Sequence, residues 1–128
     1  MGLFDKLFNK KKQPTFGIVK EEIFTLSNQN GSVSNPTKED LKDYLLCFFN
    51  EEDQFIILTL AKAKNGVRYV QAAFAGTKLI VQLGLEENNQ TRLVEKVCTQ
   101  NKDCVDIFRQ FYDFGTVDHI EEYSTVHF

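Results

Sequence analysis

The chain has 128 residues, of which 42% are hydrophobic and 26% are charged. A chain of this length usually forms one domain, and the composition is typical of a globular protein rather than a disordered one. Because the net charge is −3, we expect no nucleic-acid partner. The sequence contains no run of about 18 apolar residues, the length that spans a membrane.

Charge is distributed unevenly along the chain. The first twenty residues contain five lysines and one aspartate, whereas the remainder contains 10 basic and 17 acidic residues, a net charge of −7. We therefore divide the chain into a basic amphipathic segment, residues 1–14, and a single α+β domain, residues 15–128. The lysines follow a short apolar run instead of preceding it, which argues against a secretory signal. We expect a cytoplasmic protein of bacterial type, with a peripheral position at the inner membrane face as the alternative.

The N-terminal segment has the spacing of a short amphipathic helix from Gly2 to Lys12, which Gln13-Pro14 ends. A helix of this length is marginal in water unless its apolar side is covered. Three interpretations stay open: the segment is frayed or packed against the rest of the chain, contacts a membrane surface, or docks in a partner's groove. The residues that would make such contacts are Leu3, Phe4, Leu7, Phe8, Lys10, Lys11 and Lys12.

The next part of the chain predicts extended structure and then a helix. Phe16–Val19 and Ile23–Leu26 form one strand or two short ones, and Ser27–Ser34 is a loop because it is rich in Asn, Ser and Gly. Asn35 is expected to cap a helix that has Pro36 at its first position. The buried face of that helix is formed by Leu41, Tyr44, Leu45 and Phe48.

Four strands are predicted in the middle of the chain. Phe55–Leu60 is dense in β-branched and aromatic residues, which indicates a central strand covered on both faces. Alternating patterns predict the other three strands at Val67–Phe74, Leu79–Leu85 and Thr91–Thr99. Since short turns connect the four, we expect an antiparallel meander.

A second helix is predicted after the meander. Asn101 or Thr99 caps it, Gly115 ends it, and its buried face is formed by Cys104, Ile107, Phe108 and Phe111. The tail contains a short strand near Tyr123–Val126 or a loop. The predicted fold class is α+β: an antiparallel sheet of about four meander strands plus an N-terminal strand, with two amphipathic helices packed on it.

Motifs for catalysis, metal binding or cofactor binding do not occur in the sequence, and we expect a protein that is not an enzyme and has no metal or cofactor. Asp118 and His119 are neighbours, but adjacent residues of an extended segment point to opposite faces. An enzyme with an unfamiliar site is the alternative, and its pocket would be lined by Tyr44, Arg68, Tyr69 and Arg92.

Three cysteines, Cys47, Cys98 and Cys104, lack metal-binding or redox spacing. Each lies in an apolar run, so we expect three buried free thiols in a reducing compartment.

Acidic residues recur in the predicted turns. The candidate partner-binding residues are Glu51, Glu52, Asp53, Glu86 and Glu87. Such carboxylates often serve only solubility. Together they could instead form a negative face that attracts and orients a basic protein.

Several short motifs follow one another between Asn35 and Val117. The first two are Asn-Pro-x-x-Glu-Asp at Asn35–Asp40 and the acidic turn at Glu51–Asp53. They are followed by the apolar strand Phe55–Leu60, by Tyr-Val-Gln-Ala at Tyr69–Ala72, and by a helix containing Val105, Ile107 and Phe108. This arrangement resembles a loose family of small bacterial proteins allied to the immunity proteins of polymorphic toxin systems. The resemblance implies an antiparallel α+β fold and neutralisation of a toxin by binding.

We therefore expect a non-catalytic binding protein, such as an immunity-type inhibitor or an accessory protein of a toxin locus. The expected partner is a protein, with a basic toxin as the specific candidate. A membrane-associated accessory protein anchored by residues 2–12 is the alternative, as is a structural domain. An exposed strand edge would also allow a homodimer.

Overall fold

In the computed structural model, the structure is described for residues 23–50 and 52–127. The predicted N-terminal helix, the predicted strand Phe16–Val19 and Glu51 lie outside these residues. Neither helix of the described part is long and apolar enough to span a membrane. The elements are β1 (Phe24–Asn28), β2 (Gly31–Ser34), α1 (Lys38–Phe49), β3 (Phe55–Leu60), β4 (Val67–Ala75), β5 (Lys78–Glu87), β6 (Gln90–Cys98), α2 (Asn101–Phe114), a 3-10 turn (Ile120–Glu122) and β7 (Ser124–Thr125).

The seven strands form one sheet in the order β2-β1-β3-β4-β5-β6-β7, and every neighbouring pair is antiparallel. β3 to β6 form the predicted meander. The connection through α1 leads from the edge strand β2 past β1 to β3. The predicted α+β class with an antiparallel sheet is thus confirmed, but the predicted strand number was too low.

The missing strands come mainly from Ser27–Ser34, which was wrongly predicted to be a loop. Its residues form the end of β1, a tight turn at Gln29–Asn30, and β2. The Asn28 side chain accepts a hydrogen bond from the Asn30 backbone N–H at 2.8 Å, which stabilises the turn. The Asn, Ser and Gly content is typical of turns, and pairing of β1 with β3 makes the flanking residues extended despite it.

Helix α1 begins two residues later than predicted. Thr37 is its N-cap, and Thr37 and Asp40 exchange the two hydrogen bonds of a capping box, at 3.0 and 2.9 Å. Asn35 instead adopts a left-handed backbone conformation, with φ of 51°, and its side chain accepts a hydrogen bond from the Ile23 backbone N–H at 2.7 Å. The predicted Asn35 cap was therefore wrong because that side chain holds the start of β1.

Helix α2 begins after Gln100, which makes no side-chain capping bond, so neither predicted cap residue occupies the cap position. The helix ends as predicted at Gly115. This residue has a left-handed φ of 71°, and its N–H donates to the Phe111 carbonyl at 2.8 Å.

Both helices pack on the same face of the sheet, and the hydrophobic core lies between the helices and the sheet. The predicted α2 face is confirmed, since Cys104, Ile107, Phe108 and Phe111 are all buried. Burial along β3 alternates between buried and half-buried residues, so the predicted coverage on both faces is wrong. The sheet residues pointing into the core are Leu26, Ile56, Leu58, Leu60, Val67, Val70, Ala72, Leu79, Val81, Leu83, Leu85, Val94 and Cys98.

The opposite face of the sheet, here called the open face, is not covered by either helix. A polar row crosses its centre: Gln71 donates to Gln82, and Gln82 donates to Glu95 at 3.0 Å. Beside this row, the Tyr69 ring lies over Gly84 so closely that a Cβ at Gly84 would overlap it. Glycine at this position therefore makes room for the ring.

Candidate functional site

A pocket of about 530 Å³ lies where the β1–β2 turn meets α1 and the segment before β3. It is called the acidic pocket here because three carboxylates line it and, among the described residues, no lysine, arginine or histidine does. The lining residues are Asn28, Asn30, Gly31, Ser32, Asp43, Tyr44, Cys47, Glu52 and Asp53. Two of the predicted partner-binding residues, Glu52 and Asp53, thus belong to it.

The Asp53 carboxylate is buried and stabilises the fold through hydrogen bonds. It accepts hydrogen bonds from the side-chain amides of Asn28 at 3.1 Å, Gln29 at 2.9 Å and Asn30 at 3.2 Å. The Gln29 side chain in turn accepts the Gln54 backbone N–H at 2.9 Å. These bonds attach the β1–β2 turn to the chain before β3, and so they form one wall of the pocket.

The other two carboxylates of the pocket, Asp43 and Glu52, belong to exposed residues. Neither forms an ion pair with a described residue in the way that Glu86 and Glu87 do. Asp43 reaches the pocket from α1 and was not among the predicted partner-binding residues. Its signal would have been helical spacing: Asp43 lies one turn before Cys47, on the same side of α1.

The pocket raises the pKa of two neutral side chains. A hydrogen bond to Glu52 raises the pKa of the Cys47 thiol most, followed by burial and by the charges of Glu52, Asp53 and Asp43. Burial raises the pKa of the Tyr44 hydroxyl, and the charges of Asp40 and Asp53 raise it further. Both shifts mean that a negative charge is disfavoured here, as expected close to several carboxylates.

The Cys47 thiol is therefore expected to react slowly with iodoacetamide at mildly alkaline pH. A raised pKa leaves less thiolate at a given pH, and thiolate is the reacting form. Replacing Glu52 with glutamine is expected to move the rate profile of Cys47 to lower pH, because the neighbouring negative charge is lost.

The rate at each pH is measured by mass spectrometry of the peptide containing residue 47. An exposed acid outside the pocket, Asp106, provides the matched control, and Asp106→Asn should leave the profile unchanged. Identical profiles for Glu52→Gln and the unmodified protein would show that Glu52 does not act on this thiol.

The other predicted acidic pair, Glu86 and Glu87, lies at the opposite end of the sheet. β3 begins beside Ala73 of β4, near the acidic pocket, whereas Leu85 of β5 pairs with Val67 at the other end of β4. Six residues of strand separate these two positions, about 20 Å. The structure therefore does not join the predicted acidic residues into one face.

Glu86 and Glu87 are also paired with arginines. Arg68 contacts Glu86 at 2.6 Å and Arg92 contacts Glu87 at 3.1 Å. Their negative charges are thus partly neutralised, whereas Asp43 and Glu52 form no ion pair with a described residue.

The four residues considered for an unfamiliar enzyme site are dispersed. Tyr44 lines the acidic pocket, Tyr69 lies on the open face, and Arg68 and Arg92 form the ion pairs just described. The acidic pocket contains only the first of them.

His119 lies in a cluster with two glutamates that was not predicted from the sequence. Its Nδ1 is 3.6 Å from a Glu121 carboxylate oxygen and 3.8 Å from one of Glu122. The sequence pattern that indicates the cluster is His-x-Glu-Glu, because a 3-10 turn brings these three side chains together. All three side chains are more than half exposed, and ion pairs with such exposure contribute only about 0–1 kcal/mol.

The three cysteines are free, as predicted. Cys98 and Cys104 are buried, and burial raises the pKa of both thiols. Cys47 is only half-buried, so the prediction that all three are buried was wrong for this one. It faces the acidic pocket because it lies near the end of α1, beside Glu52.

Comparisons with models of known protein families, with curated protein sequences and with solved structures found no match.

Proposed function

We propose that this protein is a non-catalytic binding protein that receives a basic protein partner at the acidic pocket. The observation that carries the proposal is a pocket of about 530 Å³ that is lined by three carboxylates and, within residues 23–50 and 52–127, by no cationic residue. A lysine or arginine side chain of a partner would supply the missing positive charge.

Two features favour an arginine or lysine of a partner: the carboxylates of the pocket and the net charge of the chain. Asp53 is held by three amides, while Asp43 and Glu52 keep exposed carboxylates that can accept hydrogen bonds. A guanidinium group matches carboxylates through paired N–H donors, and such bonds are stronger than those between neutral groups. The net charge of −7 beyond residue 20 would also steer a basic protein towards this chain.

The non-catalytic part of the proposal is supported by the state of the pocket's nucleophiles. The pKa values of Cys47 and Tyr44 are raised, so the thiol and the hydroxyl ionise less readily than the free side chains do. A nucleophilic cysteine needs the opposite shift, from neighbouring cations or a helix N-terminus. The pocket therefore favours binding of a cation over covalent chemistry.

The narrower proposal is an immunity-type inhibitor, or an accessory protein of a toxin locus, acting in the cytoplasm of a bacterium. It is supported by the acidic pocket together with the loose resemblance of residues 35–117 to small bacterial proteins allied to the immunity proteins of toxin systems. A toxin neutralised in this way would be basic and would insert a cationic side chain into the pocket.

Reversing the charge of the pocket is expected to weaken partner binding. In the double variant Asp43→Lys, Glu52→Lys, two exposed carboxylates become cations without disturbing the hydrogen bonds of Asp53. We expect at least a tenfold loss of affinity, equivalent to about 1.4 kcal/mol. The measurement is affinity purification from the source cells with quantitative mass spectrometry, followed by titration of the recovered protein.

The matched control is Asp106→Lys, Asp118→Lys. It changes the net charge equally and alters two exposed acids that do not line the pocket. Equal losses in both variants would indicate a general charge effect and contradict the proposed site, as would recovery of a partner with an acidic surface.

A peripheral membrane protein is the second candidate. It is supported by the apolar and basic residues at positions 3–12. Binding to vesicles containing anionic lipids should then weaken with salt and vanish when residues 2–12 are deleted.

A further inference from the structure

An apolar groove of about 500 Å³ runs between α1 and α2, on the side of the helices away from the sheet. Its apolar lining is formed by Leu41, Leu45, Leu46, Phe49, Val105 and Tyr112. Leu46 is 50% exposed, and Phe49, Val105 and Tyr112 are only half-buried. Leu46 and Phe49 therefore present apolar surface at positions where a solvated helix usually carries polar residues.

The groove has the length of a short helix. Its lining extends from Lys38 at the start of α1 to Phe49 at the end. These twelve residues correspond to about 18 Å of helix, and an eleven-residue helix at positions 2–12 would be about 16 Å long. Apolar residues at positions 3, 4, 7 and 8 have the i, i+1, i+4 and i+5 spacing that places them on one side of such a helix.

The described chain begins beside the groove. Phe24, the first residue of β1, stacks on Tyr112 with ring centroids 5.4 Å apart, and Tyr112 lines the groove. Ten residues, 13–22, separate the N-terminal pattern from Ile23, and an extended chain of ten residues reaches about 33 Å. Residues 2–12 can therefore reach any part of the groove of their own chain.

We propose that residues 2–12 dock as an amphipathic helix in the groove between α1 and α2 of the same chain. Leu3, Phe4, Leu7 and Phe8 cover Leu46, Phe49, Val105 and Tyr112, and the lysines remain in solvent. The polar residues of the groove's lining carry both signs of charge, so apolar contacts and the reach of the chain are what support this arrangement. The proposal is independent of the acidic pocket.

A tryptophan at position 8 tests this docking in the full chain. The protein contains no tryptophan, so Phe8→Trp introduces a single fluorophore. We expect an emission maximum at shorter wavelength, and acrylamide quenching severalfold weaker, than after unfolding in urea. Both values should be independent of protein concentration. Phe4→Trp should behave in the same way, which guards against a disturbance caused by one substitution.

Two charged variants locate the contact. Leu46→Lys in the groove should restore the emission and quenching of a solvated tryptophan. Val97→Lys, on the open face, alters a residue of equal exposure, 49% against 50%, and should have no effect. Circular dichroism should be unchanged in both, because both side chains are half exposed.

Four results would overturn the proposal. The first is a solvent-exposed tryptophan in Phe8→Trp without further substitutions, and the second is protection of this tryptophan from acrylamide that persists in Leu46→Lys. The third is protection from acrylamide that increases with protein concentration, and the fourth is protection that appears only with anionic vesicles. The third would assign the groove to a second copy of the chain, and the fourth would assign the segment to a membrane surface.

Discussion

Phe108→Ala is expected to lower the free energy of unfolding by about 3–5 kcal/mol, the usual cost of truncating a buried phenylalanine. Phe108 lies on α2, is fully buried, and belongs to the core between the helices and the sheet. Removing the ring leaves a cavity that rigid neighbours fill only in part. Since domains of this size are stable by about 5–15 kcal/mol, the variant should unfold at much lower urea concentration.

Phe114→Ala is the matched control for this prediction. Phe114 lies on the same helix, and its side chain is 69% exposed. Its truncation should change stability by no more than about 0.5 kcal/mol. Urea titrations followed by circular dichroism measure both variants. Similar losses of stability in the two would contradict the placement of Phe108 in the core.

Asp53→Asn is expected to lower the free energy of unfolding by about 3 kcal/mol, because hydrogen bonds to a charged group contribute about 1.5–3 kcal/mol each and are not additive. The carboxylate accepts amide hydrogens from Asn28, Gln29 and Asn30. Asparagine has one acceptor oxygen, and its NH₂ group would face either the Asn28 amide or the amides of Gln29 and Asn30. The β1–β2 turn should therefore detach from the segment before β3.

The control is Glu52→Gln, one residue earlier and exposed. It should leave stability within about 0.5 kcal/mol. Hydrogen exchange can localise the effect. The backbone amides of the β1–β2 turn should exchange faster in Asp53→Asn, and their exchange rates should be unchanged in Glu52→Gln. Equal protection of the turn in both variants would mean that Asp53 does not hold it.

These two stability effects define which residues are suitable for testing the proposed function. A loss of binding in an Asp53 variant would report the detached turn as much as the lost charge. Asp43 and Glu52 lie on exposed positions of the same pocket and can be changed with the fold intact. They therefore separate recognition from folding.

Two of the nine described residues that line the candidate site were predicted from the sequence to bind a partner. Glu52 and Asp53 were found as an acidic turn after a helix, because charge clusters are visible in the linear order of residues. Asp43, Tyr44 and Cys47 reach the pocket from α1, and Asn28 and Asn30 reach it from the β1–β2 turn. These contacts depend on where α1 lies relative to β1, which no local pattern specifies.

The different roles of the acidic residues were also decided by tertiary contacts. Asp53 is buried and satisfied by three amides, and Glu86 and Glu87 are paired with arginines at the far end of the sheet. A carboxylate's effect depends on its partners within a few ångströms, and these partners come from distant parts of the sequence.

The sequence by itself determined the α+β class, the buried face of α2, the buried face of α1 except for the half-buried Tyr44, and the alternation of β4, β5 and β6. These features follow from hydrophobic periodicity and from terminators such as Gly115, both of which act over a few residues. Only the tertiary structure decided that Ser27–Ser34 forms a hairpin, that β1 lies between β2 and β3, and that the acidic residues divide into a pocket and distant ion pairs. Pairing between strands far apart in the chain supplies the hydrogen bonds that override the local preference of Asn, Ser and Gly for turns.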